Sequence, residues 1–183
     1  MKRFACLLAA VAFFGACSTH RVSRPKEIYA SAGMKVRLLP PSAYGGELSA
    51  VQEVRVSRGG AELVVTGIVK ILRDSMQVIA LADMARLMTL NYTPAGIECE
   101  VSPLVPLPKI RPEYILFDVQ LAYFPADAIN AALPKGMSFC EDGGARALYR
   151  GEKKIVSIAR DGGTMEFANL ERSYSCRIVH MEN

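Results

Sequence analysis

The chain has no tryptophan and only two histidines, His20 and His180, in 183 residues. So few imidazoles leave a Cys/His metal centre almost without ligands. The cysteines do not supply one either: Cys99, Cys140 and Cys176 lie 41 and 36 residues apart, unlike the close pairs of a metal knuckle. There is no G-x-S-x-G elbow, so a hydrolase's nucleophile, base and orienting group have no visible starting point. His180, three residues from the C-terminus, is a base without a nucleophile. No run of Lys or Arg exceeds two, and the formal net charge is only +4. That is too little and too scattered for a nucleic-acid partner. Internal repeats and low-complexity tracts are absent. Hydrophobic content reaches 51%, yet no stretch approaches the roughly 20 apolar residues that span a bilayer.

What is present begins at the N-terminus. Lys2 and Arg3 precede an uncharged apolar run, Phe4 to Ala16, of signal-peptide length and too short to span a membrane. It ends Phe14-Gly15-Ala16-Cys17, which resembles a bacterial lipobox with Phe14 in place of the commoner leucine. Residues 1–16 are therefore expected to be a lipoprotein signal peptide. Cys17 is the expected lipidation site, carrying acyl chains of the palmitate type. Each buried methylene adds about 0.8 kcal/mol of membrane affinity, so several chains anchor stably. A plain secretory signal with an incidental cysteine is the alternative. By the lipoprotein sorting pattern, Ser18 implies the periplasmic face of the outer membrane. Cleavage leaves 167 residues, enough for one domain, and lowers the net charge to +2. In an oxidising compartment one cysteine pair can bridge. Cys140–Cys176 is the candidate disulfide, and three unpaired thiols are the alternative.

Residues 17–33 read as lipidated cysteine plus polar tether or short helix, and 34–183 as the folded domain. Within it, MKVRLL, SAVQEVRVS, AELVVTGIVKILRD, MQVIALAD, RLMTLNYT and IECEVS alternate or run apolar between Gly and Pro turns, the pattern of an antiparallel meander. Residues 102–112 hold four prolines and cannot feed a sheet ladder. PEYILFDVQLAYF then suits a helix, with Pro112 in its first turn and apolar residues nearly all round. PADAINAALPKG gives a second short helix. RALYR, KKIVSIA, TMEFAN and YSCRIVH return to strands. The expected fold is mainly β (α+β): a curved antiparallel sheet or incomplete barrel of about ten strands, with two short helices inserted as plug or lid.

Several stretches resemble a family of uncharacterised proteobacterial lipoproteins, a domain of unknown function. They are Met76 to Leu81, Arg86 to Tyr92, Ser102-Pro103-Leu104, Asp118 to Pro125 and Ala131 to Pro134. The likeness covers most of residues 35 to 180. In plan that family is similar to LolB, the outer-membrane receptor that accepts lipoproteins from the carrier LolA. It often accompanies genes for aryl-polyene lipids. The resemblance implies a LolB-like half-barrel, a LolA-like periplasmic carrier as partner, and an acyl, aryl-polyene or lipoprotein cargo.

A half-open barrel offers its apolar face as a cavity wall. The candidate cavity and lid residues are Val65, Val69, Ile71, Val78, Leu90, Leu116, Phe117, Leu121 and Phe124. Asp118, which interrupts the apolar helix, either fixes the helix over the sheet or contacts a ligand head group. Glu98 and Glu100 share a strand face and read as a solvated pair. The function expected is non-catalytic binding of hydrophobic cargo, without cofactor or metal. A structural lipoprotein with a filled core and a protein partner is the alternative.

Overall fold

The computed structural model describes residues 19–20, 26–83, 85–102 and 111–181. The signal segment, Cys17 and most of the proline-rich connector lie outside these.

Among the described residues, thirteen strands and two α-helices follow in order. β1 is Thr19–His20. β2 (Glu27–Ser31) and β3 (Met34–Arg37) form a separate two-stranded hairpin, followed by a single 3-10 turn, Pro41–Tyr44. The first meander is β4 (Leu48–Arg58), β5 (Ala61–Ile71), β6 (Met76–Ala82), β7 (Ala85–Thr93) and β8 (Gly96–Val101). The helices α1 (Pro112–Tyr123) and α2 (Ala126–Ala132) come next. The second meander is β9 (Met137–Asp142), β10 (Ala145–Arg150), β11 (Lys153–Asp161), β12 (Thr164–Asn169) and β13 (Tyr174–His180).

The two meanders join where the last strand pairs with the first of the sheet, β13 with β4. The result is a ten-stranded antiparallel sheet, curved but not closed, running from β8 at one edge to β9 at the other. β1 adds two residues at the β8 edge. The mainly β plan with two inserted helices is the one expected from the sequence. The turns explain its local shape. Gly59 and Gly60, between paired Arg58 and Ala61, both have positive φ, +58° and +83°. A two-residue hairpin turn that matches strand twist needs that conformation at both positions.

Three expectations about the strands differ from the structure. MKVRLL was expected in the meander, yet its strand, β3, pairs with β2 in the separate hairpin. Residues 27–31 fall in the anticipated tether, yet they form β2, and its Ile28 and Ala30 are buried. Their alternation is short and lies beside Pro25, which hid the strand. β9 was also not expected. Its residues MSFCED alternate only through Phe139, the one buried member.

The core sits on the concave face. Cross-strand register aligns Ala50, Val69, Val78, Leu90 and Cys99 in one row, and Ile71, Met76, Tyr92 and Ile97 in the next. From the second meander come Phe139, Leu148, Val156, Ile158 and Phe167. Helix α1 lies over this face and buries Leu116, Phe117, Gln120, Leu121 and Ala122. Each large apolar side chain buried there contributes about 1.5–3 kcal/mol. Pro125 ends α1, because the residue before a proline is pushed out of the helical region. Phe124 is accordingly extended, with φ −75° and ψ 155°, and its ring turns back into the core against Tyr44 at 5.7 Å.

Candidate functional site: the covered concave face

All nine candidate cavity and lid residues are buried. Val65, Val69 and Ile71 come from β5, Val78 from β6 and Leu90 from β7. Leu116, Phe117 and Leu121 come from α1, and Phe124 follows it. All but Val65 belong to one contiguous apolar cluster. The two groups that were to face each other across a cavity therefore share one core. A void remains between Val36, Leu39, Phe117, Gln120, Ile129 and Leu133. Its volume is about 10 Å³, room for about one water molecule.

Polar contacts hold α1 on the sheet. Midway along the helix, Gln120 is almost fully buried and pairs with the backbone of Leu39. Its Nε2 donates to the Leu39 carbonyl at 2.8 Å, and the Leu39 amide donates to its Oε1 at 3.1 Å. One turn on, the Tyr123 hydroxyl donates to Gln52 Oε1 at 2.8 Å. Burial pushes the Tyr123 phenol up from its ordinary pKa, which keeps it a neutral donor.

The C-terminal end carries the strongest attachment. Arg146, on β10, is 4% exposed and reaches under the last turn of α1. Its guanidinium donates to Leu121 O at 2.8 Å, Ala122 O at 2.6 Å and Phe124 O. Arg160 of β11 also donates to Ala122 O. A helix leaves its last four carbonyls unpaired and negative at that end, and α1 has no basic residue in its own last turn. Glu141 balances Arg146 at 3.1 Å. Burial lowers the Arg146 pKa, and Glu141 opposes that shift.

One turn back along α1, the Tyr174 hydroxyl on β13 donates to Asp118 Oδ2. The other oxygen, Oδ1, is buried and makes no hydrogen bond. Burial pushes the Asp118 carboxyl up to about 7, against smaller opposing contributions from the Tyr174 hydrogen bond and the Arg172 charge. Arg172 lies over the Tyr114 ring of α1 at 3.6 Å and donates to Tyr29 O. Asp118 thus links α1 to β13 through Tyr174.

Asn130 of α2 covers part of the β9 edge. Its Nδ2 donates to Phe139 O at 2.7 Å, and its Oδ1 accepts from the Phe139 amide at 2.9 Å. The side-chain amide thus replaces the missing neighbour strand for one residue.

The Cys140–Cys176 bridge is not formed; both thiols are free. Register gives the reason. Cys140 aligns with Ala147, Ser157, Ala168 and Ser175 across successive strands, whereas Cys176 aligns with Phe167 and Ile158. The two sulfurs lie on opposite faces of the sheet, with three strands between them. Burial, with the Asp118 charge, pushes the Cys176 thiol up to about 12. Glu98 and Glu100 are exposed on the outer face of β8.

Sequence reasoning missed Arg146, Arg160 and Gln52. One signal pointed to the first: Arg146 has the inward parity of Leu148, and an arginine at a core position must find acceptors.

A family model described as a protein of unknown function (DUF3261) matches residues 49–182. That range holds both meanders and both helices. No curated protein matches the chain.

Proposed function

The chain belongs to that family of unknown function, and we propose that it is a lipid-anchored, non-catalytic half-barrel that receives a hydrophobic cargo on its concave face. One observation carries the reading. The apolar wall built by Val69, Ile71, Val78 and Leu90 is covered by a single helix whose own apolar side chains fill it, and the helix is fastened by hydrogen bonds. Hydrogen bonds to α1 can be exchanged for water, each at a net cost of about 1 kcal/mol. An acyl or polyene chain would then replace Leu116, Phe117 and Leu121 against the sheet. Affinity would come from about 25 cal/mol per Å² of apolar surface buried, without a cofactor.

The lipobox at Cys17 supports an anchor on the periplasmic face of the outer membrane. The LolB-like plan supports a LolA-like carrier as donor and a lipoprotein or aryl-polyene lipid as cargo. The second reading, a structural lipoprotein with a filled core, draws on the void of only about 10 Å³. Residues 18–183, expressed without the anchor in an oxidising compartment, separate the two. A lipid-like species retained near one-to-one in native mass spectrometry supports the cargo reading, and its mass identifies the class. A clean protein that also ignores a hydrophobic fluorescent probe leaves the structural lipoprotein.

A further inference from the structure

An open sheet has two edges, and each exposes unpaired backbone groups. At β9, Asn130 covers part of the edge. At β8 the chain's own N-terminal segment does so. Thr19 pairs with Glu100 and His20 with Cys99, antiparallel. A second contact lies further along: Lys26 Nζ donates to the Pro94 carbonyl in the turn before β8. One contact is to β8 itself and the other to the turn that leads into it.

The consequence concerns the anchor. Cys17 precedes Thr19 by two residues, and two residues span at most about 7 Å. A free tether over 17–33 would leave the domain roughly 20–25 Å of play. With the chain fixed at Thr19, that slack is gone.

Resting on the lipid-anchor reading above, we infer that edge pairing holds the Glu100–Val101 end of β8 against the bilayer, so that a lipid surface meets this sheet at that end of its β8 edge. Val101, 38% exposed, is among the few large apolar side chains on the surface, and it lies at that end. α1 packs beside the same strand. A chain leaving the bilayer would therefore meet the seam between β8 and the covering helix before any other part of the barrel.

The test uses the full chain, acylated in cells and reconstituted in phosphatidylethanolamine/phosphatidylglycerol vesicles that contain a headgroup spin-labelled lipid. A fluorophore is attached at Val101→Cys or, at the opposite end of the sheet, at Leu72→Cys, both in a Cys140→Ser background. Quenching at 101 at least twofold stronger than at 72 is expected. The double variant His20→Pro/Lys26→Ala, which removes both edge attachments without touching the core, should bring 101 down to the level of 72. Intact mass reads the acyl group independently. Acylated protein with equal quenching at the two positions overturns the edge docking and leaves the anchor standing. Absence of the acyl group overturns the anchor reading, and this inference with it.

Discussion

Arg146 donates to the carbonyl oxygen of Leu121 at 2.8 Å, from beneath the helix that Leu121 helps to build. A strand residue thereby caps a helix 25 positions earlier in the chain. The same guanidinium serves Ala122 and Phe124, so one side chain settles three carbonyls that α1 leaves unpaired.

Replacing Arg146 by methionine keeps the stem and removes the donors. The Leu121 and Phe124 carbonyls would lose this donor, Ala122 would keep only Arg160, and Glu141 would lose its counter-charge. The expected loss is about 3–5 kcal/mol of unfolding free energy. Urea denaturation measures it. A loss below about 1 kcal/mol would mean that water or Arg160 satisfies those carbonyls equally well. Arg146→Lys should fall between, because an ammonium lacks the planar fork.

Asp118 predicts a pH dependence. Its folded pKa, about 7, is raised above the usual carboxylate value near 3.9. A raised folded pKa means that the native state holds its proton more tightly than the unfolded chain. Its contribution is thus fully present below about pH 4 and is lost as pH rises through about 7. The loss is at most about 4 kcal/mol. Asp118→Asn keeps an acceptor for Tyr174 and removes the titration. Relative to the native protein it should gain stability from pH 5 to pH 8, read as a widening difference in Tm. Parallel curves across that range would rule out Asp118 as the titrating group.

Asn130→Ala exposes the Phe139 amide and carbonyl at the β9 edge. We expect a loss of about 1–2 kcal/mol. Increased self-association is also expected, since an uncovered edge accepts a strand from another chain. Chemical denaturation and analytical ultracentrifugation measure the two effects. Asn130→Asp should be nearly as damaging, because a carboxylate accepts from the amide but repels the carbonyl.

Cys140 and Cys176 should react at very different rates. Cys140 is exposed on the outer face, whereas Cys176 packs against the core with its pKa pushed up to about 12. At pH 8 an alkylating reagent should modify Cys140 at least a hundredfold faster, followed by mass spectrometry. Under oxidising conditions no intramolecular Cys140–Cys176 bridge should form in the folded protein. A mass two units lower, with both thiols protected, would contradict the register that puts them on opposite faces.

Most strands were legible because alternation is local. Val54 and Val56 against Glu53 and Arg55 declare a face without reference to any other residue, and so do Ile97 and Cys99 against Glu98 and Glu100. Helix α1 was legible from Pro112, Glu113 and Pro125, which act on backbone within one turn. β2 escaped because five residues beside a proline carry too little pattern. The burial of the apolar strands and of the apolar helix was legible as well, since such elements must bury their surfaces together.

Sequence alone therefore determined the class of fold, the order of its elements and the apolar composition of the concave face, all of which follow from neighbours in the chain. Only the tertiary structure decided how those parts meet. The β4–β13 pairing, Arg146 beneath α1, Tyr174 on Asp118 and the separation of Cys140 from Cys176 depend on register between distant strands. A shift of one residue turns each of those side chains to the other face. It also decided that the helix fills the sheet, because the volume left between two apolar surfaces depends on how closely their side chains interlock.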